Sequence, residues 1–205
     1  MDDPQVPNDT WEQFHRELGA LQRFLGNDRA ILNALRRNSH PIRRVLDIGC
    51  GSGELLRTIR RDLGVEVQGV DLRPPTQSVY DVPIQAADAT RDKLPDADVA
   101  VCVTVFHHLA EDEIAALVRN AGRSVRRLII LDVVRHWLPL ALFRLALAPF
   151  LMRIVAVDGC QSIRRAYTPG ELRAIVERAL AGTGVRLVHR VTPFRSRQIL
   201  DIVWG

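Results

Sequence analysis

The sequence predicts an α/β protein, a doubly wound sheet with right-handed β-α-β connections and helices on both faces. Two observations carry this. Strand-like and helix-like segments alternate at short intervals along the chain. The leading strands are short apolar runs that stop at glycine or aspartate, the pattern of parallel strands buried on both faces.

The elements follow in order. Thr10 to Leu35 reads as helix in two pieces, with Leu18, Leu21, Phe24 and Leu25 at helical spacing before a break at Gly26-Asn27-Asp28. Ile31, Leu32 and Leu35 form the second apolar set, and His40-Pro41 ends it. Arg44 to Ile48 is the first strand. Ser52 to Leu63 is a helix with Leu55, Leu56 and Ile59 on one face, closed by Gly64. Val65 to Asp71, Ile84 to Ala87, Val99 to Val103 and Arg127 to Leu131 are the next four strands, and Glu111 to Ala121 is a helix. Thr168-Pro169-Gly170-Glu171 opens a further helix: Thr168 is the N-cap, Pro169 sits at the first position, and Glu171 can reach back to the cap. Val185 to Val191 and Gln198 to Trp204 are two closing strands.

In such sheets ligands sit at the carboxyl ends of the strands. Four of the five leading strands end in, or are followed at once by, Asp47, Asp71, Asp88 or Asp132, which lines one sheet edge with carboxylates.

Composition narrows the class. Of 205 residues, 47% are apolar and 25% charged, so most of the chain must fold. The net charge is +4, but 27 of the 28 basic residues are arginine, with Lys93 the exception. So uniform a choice reads as a coding bias, and a nucleic-acid partner is not expected. Cys50, Cys102 and Cys160 are odd in number and lack CxxC spacing, so they read as free thiols with no metal site. The polar, acidic start Met1-Asp2-Asp3-Pro4 has no apolar run of a signal peptide, and a cytoplasmic protein is expected.

The loop Asp47-Ile48-Gly49-Cys50-Gly51-Ser52-Gly53 selects among ligands. A phosphate-binding P-loop needs Lys and then Ser or Thr after its last glycine, and here Glu54-Leu55 follows. A dinucleotide fingerprint needs a small residue where Glu54 stands, and a pyrophosphate would meet two acids. A cation with an amino-acid tail suits the loop better: Asp47 can pair with an ammonium, and the helix N-terminus after Gly51 can receive a carboxylate. S-adenosylmethionine has both groups and a sulfonium. Asp71, 22 residues after Gly49, can accept from two ribose hydroxyls. Asp88 can accept from an adenine amino group.

These residues resemble class I S-adenosylmethionine-dependent methyltransferases of the small-molecule type. Val45 to Gly53 is similar to that family's first motif, Asp71 to its ribose-binding acid, and Ala87-Asp88-Ala89 to its adenine-contacting segment. Asp98 to Leu109, with Thr104 and the pair His107-His108, resembles the segment after the fourth strand. The resemblance runs from about Arg43 to Trp204. It implies a Rossmann-like, seven-stranded, mostly parallel sheet whose last strand is antiparallel. It also implies S-adenosyl-L-methionine as cofactor, held by Asp47, Gly49, Cys50, Gly51, Gly53, Asp71, Leu72, Asp88, Ala89 and Thr104. Cys50 is expected as a small filler and not a nucleophile. One domain is expected over residues 1–205: an N-terminal helical cap (1–40), a cofactor-binding half (43–132), an apolar lid (133–167), and a C-terminal helix with closing strands (168–205).

Methyl transfer is an in-line displacement, so acceptor alignment supplies much of the rate, and a hydroxyl or activated-carbon acceptor gains from a base. His107, His108 and Asp132 are the catalytic candidates, with His136 also at the sheet edge; Asp132 could instead orient Arg135. Trp137 to Val157 is long enough to span a bilayer, but Arg144 lies inside it and Pro139 and Pro149 interrupt it. Two short apolar helices over the open sheet edge are expected. Their greasiness has two readings: a lid buried on its own domain, or a pocket for a lipophilic acceptor or a patch resting on a membrane surface. His136, Trp137, Arg164 and Tyr167 are the substrate-binding candidates. The N-terminal helices, through Phe14, Leu18, Leu21 and Phe24, either close over the cofactor or pack on the sheet.

The pattern is nearest to ubiquinone- and menaquinone-type and polyketide-associated methyltransferases. The expected acceptor is a small lipophilic phenol, quinol or polyketide, methylated at O or C, in a secondary-metabolism setting. The alternatives are an RNA methyltransferase, which the few aromatics (5%) and missing RNA-binding module disfavour, and a non-catalytic protein that keeps the cofactor site.

Overall fold

A seven-stranded sheet in the order β3-β2-β1-β4-β5-β7-β6 organises the computed structural model, which describes residues 17, 19–75 and 80–205. Its strands are β1 (Arg44–Ile48), β2 (Glu66–Asp71), β3 (Ile84–Ala86), β4 (Ala97–Val103), β5 (Val125–Val133), β6 (Arg186–Val191) and β7 (Arg197–Val203). β1 to β5 pair in parallel, while β7 runs antiparallel to both β5 and β6, so the Rossmann-like sheet with a reversed closing strand is observed.

The first helix, α1, covers residues 19–24. It is followed by α2 (Asn27–Arg36), α3 (Glu54–Leu63), α4 (Glu111–Ala121), α5 (Trp137–Leu142), α6 (Arg153–Arg165) and α7 (Pro169–Ala179). The break between α1 and α2 falls at Gly26, whose φ of 76° is the left-handed conformation that glycine adopts without strain. Predicted helix at residues 10–16, and Phe14 and Leu18 with it, lies outside the described residues. α7 starts as expected: the Thr168 hydroxyl accepts the Glu171 N–H while Glu171 accepts the Thr168 N–H, which satisfies two otherwise unpaired donors.

Alternate residues of the central strands bury on opposite faces, giving two cores. Leu46, Ile48, Ala100, Cys102, Leu128 and Ile130 pack with α4 and α7 on one side. Val45, Val99, Val101, Ile129 and Leu131 pack with Ile31, Leu35, Leu56 and Ile59 of α2 and α3 on the other. A third, smaller cluster of Leu21, Phe143, Val155 and Ile163 joins α1 to the lid.

The lid differs in detail from two short apolar helices. α5 is one and a half turns long, a π-helical turn over Phe143–Leu147 and a 3-10 turn at Ala148–Phe150 follow, and α6 continues through the polar stretch to Arg165. Pro149 sits in the first turn of the 3-10 segment, where its missing N–H costs nothing, and the chain must bend there. Among the described residues no helix is long and apolar enough to cross a membrane.

Candidate active site

The glycine loop folds under backbone constraint. Gly49, Gly51 and Gly53 all have positive φ, of 75°, 53° and 82°. A Cβ on Gly49 would come 2.5 Å from Val105 Cγ2, so the loop touches the segment after β4 with no room for a side chain. Gly69 of β2 makes the equivalent room for the Cys50 thiol, which its own Cβ would strike. Burial, with Asp47 and Asp71 close by, pushes the Cys50 thiol far up, which fits a filler and not a nucleophile.

Asp47 lies within β1, between Gly69 of β2 and Val101 of β4, and is 3% exposed. No described residue gives its carboxylate a hydrogen bond. Burial, then the charges of Asp71 and Asp28, raise it from 3.8 to about 8. Asp28, in the first turn of α2, is itself raised by burial. Three carboxylates thus share one electrostatic environment that a cation would relieve. Asp28 was legible in the sequence only as part of a helix break; no local pattern joins it to Asp47.

Asp71 is already oriented. Its Oδ2 accepts the Gly51 N–H at 2.8 Å and its Oδ1 accepts the Arg73 N–H at 2.9 Å, which ties the end of β2 to the glycine loop. Each oxygen keeps a lone pair for a further donor. Leu72 beside it is exposed. Asp88 turns onto its own loop: Oδ1 accepts from the Thr90 N–H and hydroxyl at 2.9 and 2.6 Å, Oδ2 faces Arg91 at 3.0 Å, and the Thr90 bonds hold it below the usual carboxylate range. Ala89 is partly buried against the core beside α4, and its carbonyl accepts from Asn120.

Thr104 follows β4 with φ of 56°, a strained conformation for a threonine. Its hydroxyl donates to the Val103 carbonyl and accepts from Gln22 of α1. Arg23 of α1 pairs with Glu54, and Glu17 accepts the Met152 N–H of the lid. Helix α1, with Glu17 ahead of it, therefore bridges the start of α3, the post-β4 segment and the lid, where Leu21 packs with Phe143. Gln22 is a site residue that sequence reading missed, because its partner lies 82 positions away. Of the apolar residues expected to close the site, Leu21 packs into the lid cluster and Phe24 is exposed.

His107 and Asp132 meet at the carboxyl ends of β4 and β5. His107 Nδ1 lies 2.7 Å from Asp132 Oδ1, the His107 N–H donates to Asp132 Oδ2, and the Val133 N–H donates to Oδ1. The side chains are only 4% and 2% exposed. An aspartate on Nδ1 fixes that nitrogen as the donor and leaves Nε2 as the basic atom. The alternative partner for Asp132 is ruled out: Arg135 pairs with Glu171. His108 packs against His107 with ring centroids 4.1 Å apart and the ring planes tilted by 41°. Helix α6 packs directly on this His107-His108 turn.

The four substrate-binding candidates each have their own surroundings. His136 Nδ1 accepts the Leu138 N–H as the cap of α5, and Trp137, stacked on it, is 71% exposed. Tyr167 donates its hydroxyl to the Leu109 carbonyl at 2.7 Å, which ties the end of α6 to the segment after the His pair. Arg164 is exposed. Among the described residues no group of three or more potential ligands is placed to hold a metal.

A mostly parallel sheet with a left-handed glycine loop after β1, a buried acid within β1 and a second acid ending β2 is an α/β arrangement suited to a cationic ligand. The chain belongs to a methyltransferase domain family, whose model matches residues 11–179. It is 32% identical over 125 residues to indolepyruvate C-methyltransferase of Streptomyces griseus, a match covering 52% of this chain and 38% of that protein. The chain thus spans well under half the length of that relative. Among solved structures it is similar to the plantazolicin methyltransferase BpumL in complex with a desmethyl-plantazolicin analog and SAH. That likeness has a TM-score of 0.71 at 13% identity, over 97% of this chain and 91% of the other. It is also similar to human N-acetylserotonin methyltransferase in complex with SAM, with a TM-score of 0.62 at 14% identity, over 95% of this chain and 56% of that one. At these identities the two structures speak for the fold.

Proposed function

We propose that the protein is an S-adenosylmethionine-dependent methyltransferase acting on a small, lipophilic acceptor at oxygen or carbon. The observation that carries the acceptor half of this reading is the buried His107–Asp132 pair beneath α6. It supplies a base at the strand ends, roofed by an apolar lid. The C-methyltransferase relative and the natural-product methyltransferase neighbour support a small acceptor.

The cofactor's chemistry suits the residues present. When bound it supplies a sulfonium-linked methyl group that can be transferred in line to a nucleophile. Asp47, with Asp28 and Asp71 behind it, offers an anionic seat for its ammonium. The loop N–H groups ahead of α3 offer donors to its carboxylate. Asp71 offers its free lone pairs to the ribose hydroxyls. Thr104, strained and held by Gln22, shapes the floor beside the loop. Asp88, engaged with Thr90 and Arg91, contributes its loop backbone to the adenine side more readily than its carboxylate.

Asp132 holds His107 so that Nε2 takes the acceptor's proton as the acceptor attacks. The pair works as an oriented base, worth about 10²–10⁴ in rate. Helix α6 excludes water from the reacting atoms. The lid's inner residues, Phe143, Val155 and Ile163, form the apolar body that a greasy acceptor would lie against. Its outer face supports a further part of the reading, peripheral contact with a membrane surface. Trp137, Leu145 and Phe150 are 71%, 80% and 85% exposed, and no acidic residue occurs between Asp132 and Asp158 to oppose Arg144 and Arg153.

The test is incubation with methyl-labelled S-adenosylmethionine and fractionated extracts of the source cell. Label in an organic-phase small molecule is expected, with most of it lost in His107→Gln. Label confined to RNA or protein, or no transfer from a protein that binds the cofactor, would overturn the reading.

A further inference from the structure

At the amino edge of the sheet, away from the glycine loop, lies a groove of about 1090 Å³. One wall is α2 with the residues after it; the opposite wall is β6. The pairings Arg186 with Val203, Val188 with Asp201 and Arg190 with Ile199 place these six residues on one face of β6 and β7. The opposite face is covered, since Leu187, Leu200 and Ile202 pack in the core that includes α7. On the groove face α2 packs on β4 and β5, and Val188, Ile199 and Val203 are left as an aliphatic floor only half buried. The face is mixed: these three aliphatic side chains alternate with the exposed Arg186 and Arg190 and with Asp201, a surface that an amphipathic partner would match.

Charge is concentrated here. Six arginines line the groove, at positions 37, 123, 126, 127, 186 and 190, against Asp98 and Asp201. Arg127 neutralises Asp201 through two 2.7 Å bonds, and Asp98 accepts the Arg43 and Arg44 N–H groups beside Arg126. No described carboxylate pairs with Arg37, Arg123, Arg186 or Arg190. The excess of four positive charges at this one groove equals the net charge of the whole chain. The arginines follow a coding bias in their identity, but their placement is uneven.

We propose that this groove docks an acidic, amphipathic helix of a partner protein, independently of the methyl-transfer site. A helix about 10 Å across that rises 1.5 Å per residue fills such a volume in about two to three turns. Its apolar stripe would cover Val188, Ile199 and Val203, supplying a helical layer that is lacking over this face of β6 and β7 among the described residues. Its carboxylates would meet the arginine rim. A second copy of the same face is excluded as occupant by like charge.

The test is fluorescence anisotropy with three probes: a labelled synthetic helix of Leu and Glu in helical register, its Leu/Lys counterpart, and a short oligothymidylate. The Glu helix is expected to bind at least about tenfold tighter than the Lys helix and to weaken with salt. Its affinity should fall about tenfold in Arg186→Glu/Arg190→Glu and in Arg37→Glu on the opposite wall, with cofactor affinity unchanged in both variants. Equal binding of the two helices, unchanged affinity in both variants, or tighter binding of the oligothymidylate would overturn the proposal.

Discussion

Asp47 illustrates how a single side chain can be costly alone and useful with a ligand. Its carboxyl sits near 8 when folded and near 3.8 when unfolded, so between those values the folded state binds the extra proton. Its contribution to the stability of the cofactor-free protein therefore falls as pH rises from about 4 to about 8. Asp47→Asn removes that penalty. Thermal melts without cofactor should show the variant gaining on the wild type as pH rises from about 4 to about 8, while cofactor binding is lost. Asp71→Ala should weaken S-adenosylmethionine by about 1–3 kcal/mol through the lost ribose acceptor, the scale of a hydrogen bond to a charged group. It also frees the Gly51 N–H, so calorimetry should be paired with a melt; unchanged affinity would remove the ribose assignment. Asp132→Asn lets His107 adopt the wrong tautomer. It should lower kcat by about 10²-fold or more with cofactor Kd unchanged. A fall in cofactor affinity instead would place the pair in binding and not in proton transfer.

Elements carry the next level of constraint. At Gly49 a left-handed conformation coincides with contact from Val105, so Gly49→Ala meets strain of about 1–2 kcal/mol and a steric clash together. The loop should loosen and cofactor Kd rise, while the melt falls by a few degrees. In the lid, Phe143 joins α5 to α6 and packs where a Cβ on Gly159 would strike its ring. Phe143→Ala should raise acceptor KM and speed proteolytic nicking within residues 137–157, with cofactor affinity kept. At this scale the sequence was uneven as a guide. The Thr168-Pro169-Glu171 start and the ends of β1 at Ile48 and β2 at Asp71 are local patterns, and both appear as the sequence predicts. The π-helical turn and the 3-10 turn of the lid were not foreseen, because long apolar runs carry no period that distinguishes them from regular helix. The pairing of His107 with Asp132 is equally hidden: each is a candidate on its own, but their contact depends on β4 lying beside β5. Arg135, only three residues from Asp132, looked the nearer partner and went to Glu171.

Over the whole molecule, charge separates by edge. The carboxyl edge gathers Asp28, Asp47 and Asp71 around the cofactor loop, and the amino edge gathers six arginines in an open groove. Composition alone averaged these into +4 and made the arginines look scattered. Chain topology sorts them, since residues at strand ends and strand starts fall on opposite sides of a parallel sheet. The sheet itself was legible because its strand and helix segments are short, periodic and punctuated by glycine. The bridge made by α1 and Glu17 between the start of α3, the post-β4 segment and the lid was not, since its contacts span many tens of residues. The central claim, that the acidic edge is built for a cation bearing an amino-acid tail, is tested most directly by calorimetric titration of S-adenosylmethionine across pH. Affinity is predicted to rise by up to about tenfold per pH unit up to about pH 8, as Asp47 ionises, and then level off, with no measurable binding by Asp47→Asn. A pH-independent affinity that Asp47→Asn leaves intact would contradict it.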